Sequence, residues 1–262
     1  MPPPKFQSYI GIDYSGAETS ESSLKGLRVY VAHRNTDPVE VLPPPSQRWY
    51  WTRRGLAEWL TKQIQDGPHA LIGIDHGFSF PLDYFTKHGL AHNWDAFLDD
   101  FQHHWPTDEG NNYVDFIRNG MAGNGAARCG DSSWFRLTEF WSTSAKSVFL
   151  FDVQGAVGKS THAGLPWLRY VRRKVKDQCH FWPFDGWDAP IGKSCLVEVY
   201  PSLFRKRFPK DGRTDDQHDA YAVAKWLRRV DETGYLHQFF SPSLDEDERR
   251  VAEIEGWILG LM

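Results

Sequence analysis

The stretch Tyr-Ile-Gly-Ile-Asp at residues 9–13 returns almost unchanged as Leu-Ile-Gly-Ile-Asp at residues 71–75. Each short apolar run is typical of a buried strand that ends on an aspartate, Asp13 in the first and Asp75 in the second. Ligand-binding groups gather at the carboxyl ends of parallel strands in open α/β sheets. If the two strands are neighbours, two carboxylates meet there, and like charges so close need a proton or a metal cation between them.

The bulk composition limits the class of protein. The chain has 262 residues, of which 40% are hydrophobic and 15% aromatic, so it can form a single domain, 1–262, with a sizeable core. Its formal net charge of −4 means that any contact with nucleic acid would use local basic patches. Three widely spaced cysteines, no apolar leader and no membrane-length apolar run predict a soluble cytoplasmic protein without membrane association.

Periodicity predicts an α/β domain with a mixed five-stranded sheet in the order 3-2-1-4-5 and helices on both faces. The predicted strands are 7–14, 27–33, 39–42, 70–75 and 194–200, and the clearest predicted helices are 52–65, 215–230 and 244–259. The stretch between strands 4 and 5 is rich in Trp, Gly, His and Asn and shows only fragments of helices. We therefore expect a large insertion after strand 4, at about residues 83–193, that shapes a substrate cleft.

Further acidic residues fall on predicted core elements. Asp216 and Asp219 are spaced i and i+3 near the start of a helix, so both lie on one face, and Glu198 lies within the last strand. Clustered carboxylates can hold two divalent cations about 4 Å apart, and such hard oxygen ligands favour Mg²⁺ or Mn²⁺ over zinc. Simpler roles stay open: Asp216 as a helix cap, Asp13 as a turn residue, and Glu198 in a salt bridge, although we favour the site for Glu198.

The order of these elements resembles the RNase H-like superfamily, with the Holliday-junction-resolvase branch nearest in layout. More narrowly, five segments resemble the predicted nucleases catalogued as domain of unknown function 429. These segments are 11–17 (GIDYSGA), 73–81 (GIDHGFSFP), 198–201 (EVYP), 218–220 (HDA) and 255–258 (EGWI). The resemblance covers most of the core and is weak over 83–150. It implies an RNase H-like fold and divalent-metal cleavage of phosphodiesters, with Asp13, Asp75 and Asp219 as ligands.

Several polar residues are candidates for contact with substrate. The turn after Asp13 resembles a phosphate loop. A Gly-rich turn that contains a lysine matches only part of the P-loop pattern, and basic runs cover 169–176 and 205–210. The predicted substrate-binding residues are Ser15, His76, Lys159, His218, Arg172 and Arg173. Basic runs are more often solvated surface, and His76 is also a candidate for supporting a metal ligand indirectly.

Together these patterns predict a metal-dependent nuclease acting on DNA or RNA with two Mg²⁺ or Mn²⁺ ions. Asp13 would bridge the ions, Asp75 and Asp219 would complete one shell each, and Glu198 and Asp216 would assist while an activated water attacks the phosphate. Two alternatives remain, an actin-like phosphotransferase or ATPase and a non-catalytic module that binds nucleic acid or protein. Carboxylates too far apart to share ions, or a lysine or arginine held permanently among them, would contradict the nuclease prediction.

Overall fold

One mixed sheet of six strands organises the chain. The computed structural model describes residues 5–44 and 49–262. The strands are β1 Ser8–Asp13, β2 Arg28–His33, β3 Val39–Glu40, β4 Ala70–Asp75, β5 Cys179–Phe181 and β6 Ser194–Glu198. They are arranged in the order β3-β2-β1-β4-β6-β5. Strand β2 pairs antiparallel with both β3 and β1, whereas β1, β4, β6 and β5 run parallel to one another. The carboxyl ends of these four parallel strands therefore lie at one edge of the sheet.

The prediction of five strands in the order 3-2-1-4-5 was wrong. A sixth strand, β5, forms the edge beyond β6 and pairs with it in parallel. With only three residues, all buried, β5 is too short to show the alternation by which a strand is recognised in a sequence. The predicted strand at 194–200 is also shorter than expected, because β6 ends at Glu198.

Helices cover both faces of the sheet, as predicted. Their bounds are α1 Arg53–Asp66, α2 Leu82–His88, α3 Trp94–His104, α4 Val114–Arg118, α5 Leu137–Trp141, α6 Gly158–Val175, α7 Asp215–Glu232, α8 Leu236–Phe239 and α9 Glu246–Glu255. Isoleucines of β1 and β4, such as Ile12 and Ile74, pack in the core beneath α1 and α6. Alternate residues, such as Tyr9 and Leu71, pack in a second core beneath α7. The strands are therefore buried on both sides, which explains their nearly continuous apolar sequence.

The segment expected to be an insertion contains part of the core. Helix α6 packs against α1, and β5 joins the sheet, so both belong to the central layers. Helices α2 to α5 and the turns between them occupy the preceding residues, 82–157. Among residues 5–44 and 49–262, no helix is both long enough and apolar enough to cross a membrane.

The last helix is shorter than the predicted 244–259. Helix α9 ends at Glu255, and Gly256, with a φ of +82°, redirects the chain. Trp257 is then fully buried, and Ile258 forms an isolated bridge with Glu198 at the end of β6. The C-terminal residues thereby close the sheet beside β6.

Candidate functional site

The two aspartate-terminated strands are adjacent, parallel and in register. Gly11 pairs with Gly73, and Asp13 pairs with Asp75. Because side chains alternate between the faces of a strand, glycine and aspartate face one side while the intervening isoleucine faces the other. Both carboxylates therefore leave the carboxyl edge of the sheet on the same face, the one covered by α7.

The glycines allow α7 to lie directly on the strands. A Cβ atom at Gly11 would come within 2.2 Å of the Ala220 carbonyl oxygen and 2.6 Å of the Ala224 nitrogen. A Cβ at Gly73 would lie 2.8 Å from Cγ1 of Val223. Real Cβ atoms do not come this close to other atoms, so any larger residue would push the helix away from the sheet. The Gly-Ile-Asp repeat thus provides both the contact for the helix and the acid beneath its first turns.

Helix α7 begins above the two aspartates and brings its own carboxylates to them. Thr214 caps the helix and forms a reciprocal capping box with Gln217, so the start of the helix is well defined. Asp216 and Asp219 follow in the first turns, where the helix dipole also favours negative charge. Asp219 retains 16% exposure of its side chain. The pairing predicted from the i and i+3 spacing therefore brings both residues towards Asp13.

These carboxylates raise one another's pKa. Burial raises the pKa of Asp13 well above its usual range, and the charges of Asp75, Asp216 and Asp219 raise it further. Burial, with Asp219 and Glu198 as charged neighbours, raises the pKa of Asp75 to about 8. Burial also raises the pKa of Asp219, although Arg205 opposes the effect. The site therefore has more negative charge than nearby positive charge can balance.

Arg205 is a cation in direct contact with this site. Its Nη1 donates to both carboxylate oxygens of Asp219, at 2.8 and 3.1 Å. Arg205 belongs to a 3₁₀ turn, Arg205–Arg207, and its carbonyl oxygen lies 3.2 Å from Nε2 of His218. The sequence marked this basic run as a track beside the site, but nothing in the pattern indicated which carboxylate it would pair with.

The carboxylate oxygens are donors that suit a hard divalent cation, but in the described residues they are not arranged as a coordination site. Carboxylate oxygens are the ligands that Mg²⁺ and Mn²⁺ prefer, and a dication would relieve the repulsion that raises these pKa values. Within residues 5–44 and 49–262, however, no three His, Cys, Asp or Glu side chains converge closely enough to hold a metal ion. Both oxygens of Asp219 face Arg205 instead, so a metal ion that binds both of these oxygens would displace the guanidinium.

Glu198 is ion-paired rather than directed into the carboxylate cluster. Its two oxygens accept from Arg136 at 2.6 and 2.8 Å, and one also accepts from the Phe78 nitrogen at 3.0 Å. It is 4% exposed, and Arg136 is 1% exposed and also pairs with Glu139. Burying a charge in a strand is costly unless a partner neutralises it, and here Arg136 does so. This is the salt-bridged alternative, not the position in the site that the sequence favoured.

His76 lies on the opposite side of the sheet from Asp75. It is 2% exposed, its Nδ1 lies 2.8 Å from the Gly77 carbonyl oxygen, and its Nε2 packs tightly against Gly164 of α6. Burial lowers the pKa of His76 to about 4, so the ring is neutral at physiological pH. A residue enclosed between β4 and α6 has no access to substrate, which contradicts the predicted substrate-binding role.

The predicted basic contacts are also engaged elsewhere. Lys159, in the first turn of α6, donates to Asp115 at 2.8 Å and lies 3.3 Å from Asp152. Arg172 and Arg173 lie near the other end of this helix, about 20 Å away at 1.5 Å per residue. They form ion pairs with the acidic residues Asp95, Asp185 and Asp99. These charges stabilise the packing of α3 and α6, so they are not where a substrate track beside Asp13 would need them.

Ser15 and His218 do lie at the rim of the cluster. The position of a Cβ on Gly26 is 3.6 Å from Ser15 Oγ and 3.7 Å from Asp216 Oδ2, so these two polar groups flank the same glycine. His218 is 8% exposed and holds the Arg205 carbonyl through Nε2. In the part of the chain that the structure describes, no atom is within hydrogen-bonding distance of its Nδ1.

A larger cavity lies away from this chemistry. It has a volume of about 970 Å³ and is lined by Lys5, Asp231, Leu236 and Phe240 among others. Asp231 is near the end of α7 and accepts from the backbone nitrogens of Lys5 and Phe6, so the cavity borders the amino edge of the sheet. At the opposite edge, Asp75 alone of the clustered aspartates lines a narrow cleft, together with Glu198 and Tyr200.

Comparison with known proteins adds no constraint to this picture. No protein-family model, no curated protein and no solved structure matches the chain. The functional argument therefore depends on the geometry and chemistry of the chain itself.

Proposed function

We propose that this protein is an RNase H-like nuclease that hydrolyses phosphodiester bonds of DNA or RNA with the help of Mg²⁺ or Mn²⁺. One observation carries the proposal: Asp13 and Asp75 leave paired parallel strands in register, directly beneath the acidic first turns of α7. Gathering negative charge in this way raises the pKa of each acid and weakens the fold, so it has no structural purpose.

The arrangement of the sheet supports the same proposal. An antiparallel meander, β1 to β3, is followed by the parallel strands β4 and β6, and a late helix crosses the face that carries both aspartates. This is the layout on which the resemblance to RNase H-like proteins was based. Its acidic positions on β1, β4 and the late helix are those at which Asp13, Asp75 and Asp219 occur.

The proposed roles follow from what each side chain faces. Asp13 has Asp75, Asp216 and Asp219 as charged neighbours, which suits it to a shared position between two ions. Asp75 and Asp219 would each complete one coordination shell, and Asp216 would assist. When bound, the ions would polarise the phosphate and lower the pKa of a nucleophilic water. The chain's own residues would orient the phosphate and exclude other cations, with Ser15 placed at the rim.

A nucleic acid is the substrate class that the local charges favour. The 3₁₀ turn Arg205–Arg207 places three basic residues beside the carboxylates, and Lys206 and Arg207 are exposed. Positive groups flanking a metal site are suited to the phosphates on either side of the cleaved bond. This local patch is needed because the chain as a whole carries a net charge of −4.

One observation favours a second candidate, a non-catalytic nucleic-acid-binding module of the same fold. The guanidinium of Arg205 already neutralises Asp219, as a scaffold without a metal would require. Against this, the Arg205 side chain is 38% exposed and lies on a surface turn, so it can move into solvent without unfolding the protein. The pair therefore does not close the site permanently.

A cleavage screen tests the proposal. Single-stranded, duplex and branched DNA and RNA would be incubated with Mn²⁺ or Mg²⁺ and with the wild type, Asp13→Asn or Asp215→Asn. Asp215 is 82% exposed, lies on α7 and pairs with Lys210, so it is the matched control outside the cluster. We expect cleavage by the wild type and by Asp215→Asn, with a loss of at least about a hundredfold in Asp13→Asn.

Two outcomes would contradict the nuclease. Equal cleavage by the wild type and Asp13→Asn would identify a contaminating enzyme. Binding of nucleic acid that survives a chelator, with no cleavage in either metal, would instead support the non-catalytic module.

A further inference from the structure

The contact between Arg205 and Asp219 engages both carboxylate oxygens of Asp219. One guanidinium nitrogen, Nη1, donates to both Oδ1 and Oδ2. A nitrogen that bridges the two oxygens occupies the side of the carboxylate on which a metal ion would bind both of them, and its positive charge opposes a dication there. Arg205 and a divalent cation therefore compete for Asp219.

The backbone of Arg205 is fixed, whereas its side chain is free to leave. Phe204, just before it, is 2% exposed and stacks on Trp226 with ring centroids 4.5 Å apart. The carbonyl oxygen of Arg205 lies 3.2 Å from His218 Nε2, and this contact attaches the turn to α7. The side chain itself remains 38% exposed and makes its described hydrogen bonds to Asp219 alone. A long flexible side chain on an anchored turn can exchange partners without unfolding anything.

We propose that Arg205 is a built-in, exchangeable cation: it neutralises Asp219 before metal loading and, once displaced, binds a phosphate oxygen of the nucleic acid. This inference rests on the proposed function. It explains why the basic turn lies on the rim of the acidic cluster. Guanidinium groups bind phosphate and carboxylate with the same planar donor geometry, so the released group has a substrate partner at hand.

The first part of the proposal is tested by Mn²⁺ binding, followed by electron paramagnetic resonance of the free ion. The variants are Arg205→Gln, which removes the competing charge, Arg205→Lys, which keeps it, and Lys210→Gln as the control. Lys210 is 49% exposed on the same rim and pairs with Asp215, so its replacement removes the same charge without touching Asp219. We expect Arg205→Gln to bind Mn²⁺ about three- to tenfold more tightly than the wild type, and Lys210→Gln less than about twofold more tightly.

The second part is tested with a fluorescein-labelled single-stranded DNA oligonucleotide in Ca²⁺, by fluorescence anisotropy. Loss of one phosphate contact should weaken binding by Arg205→Gln about five- to twentyfold, with Arg205→Lys between it and the wild type. Circular dichroism and thermal melting of each variant separate these effects from misfolding, and Arg205→Lys retains a cation if the glutamine variant fails to fold.

The outcomes distinguish this inference from the function on which it rests. If the wild type binds Mn²⁺ and Arg205→Gln binds it no more tightly, Arg205 does not compete for the site and the inference is overturned. If Arg205→Gln binds DNA as well as the wild type, the phosphate contact is overturned. If neither protein binds Mn²⁺ at millimolar concentration, the proposed nuclease itself fails.

Discussion

Replacing Asp75 with asparagine should make the metal-free protein more stable. The pKa of Asp75 is raised from its ordinary value of 3.8 to about 8 by burial and by the charges of Asp219 and Glu198. The folded protein then binds the Asp75 proton more tightly than the unfolded chain does. Between about pH 4 and pH 8 the native state holds more protons, so the free energy of unfolding falls as the pH rises through that window.

The size of the effect follows from the same difference in pKa. A difference of about 4 corresponds to about 6 kcal/mol at about 1.4 kcal/mol per pKa unit, which is the ceiling above pH 8. Asp75 is only partly buried, and water and Arg205 screen its charge, so we expect about 1–3 kcal/mol at pH 8. The gain should shrink steadily as the pH falls and vanish only near pH 4, where the carboxyl is protonated in the unfolded chain as well as in the folded protein.

Urea unfolding in a chelator, from pH 4 to pH 9, measures this gain. Asp75→Asn should exceed the wild type in stability at pH 8, and the two should converge as the pH falls towards 4. Asp215→Asn is the control, because the pKa of this exposed residue is lowered by Lys210 rather than raised. Its substitution should slightly weaken the fold at neutral pH.

Added Mn²⁺ should reverse the order. If the carboxylates bind the ion as proposed, they do so only in the folded state, so Mn²⁺ should raise the melting temperature of the wild type more than that of Asp75→Asn. If Asp75→Asn is no more stable than the wild type at pH 8, or if its gain is the same at every pH, the argument for a repulsive acidic cluster is refuted.

Three further changes test the packing and the assignments. Gly11→Ala should destabilise the protein by about 3 kcal/mol in urea unfolding, because its Cβ would overlap the backbone of α7, whereas Gly26→Ala, with nothing nearer than 3.6 Å, should cost less than about 0.5 kcal/mol. Glu198→Gln should cost about 2–4 kcal/mol by weakening the buried pair with Arg136, yet leave the Mn²⁺ affinity of the folded protein unchanged; a lost Mn²⁺ site would make Glu198 a ligand. Arg172→Gln should leave the affinity for DNA, measured by fluorescence anisotropy, within about twofold of the wild type, since this arginine faces α3, and a larger loss would restore it as a substrate contact.

The aspartate pair could be predicted from the sequence because the pattern that indicates it is local. Two short apolar runs with the same Gly-Ile-Asp ending require similar surroundings, and the parallel pairing of Asp13 with Asp75 confirms that they are neighbours. The helical spacing of Asp216 and Asp219 is equally local, so their shared face could be predicted too. Which charges would come to lie beside them depends on contacts between distant segments.

Glu198 and His76 show where local patterns are insufficient. The charge of Glu198 is balanced by Arg136, which is 62 residues away in the chain and follows no pattern linked to β6. For His76 the necessary signal was present, since it directly follows the last residue of β4, and successive side chains along a strand point to opposite faces of the sheet. Applying that alternation would have placed His76 under α6 rather than beside a substrate.

The pairing of Arg205 with Asp219 and the strand β5 were not predicted. A basic run at 205–210 is compatible with solvated surface, and only the folded chain shows that one of its members contacts Asp219. The strand Cys179–Phe181 is too short to have a period, and it is specified by pairing with β6 rather than by its own residues. Both depend on tertiary contacts.

The backbone of α7 contacts the glycines of β1 and β4 directly, so small substitutions at this contact would displace the acidic residues. Inserting one residue into β1 or β4 would turn its aspartate to the opposite face, and enlarging Gly11 would lift the helix that carries the other acids. Evolutionary change would therefore have to occur around the centre rather than within it. The helices and turns of residues 82–157 and the turn Arg205–Arg207 are where such variation can be accommodated.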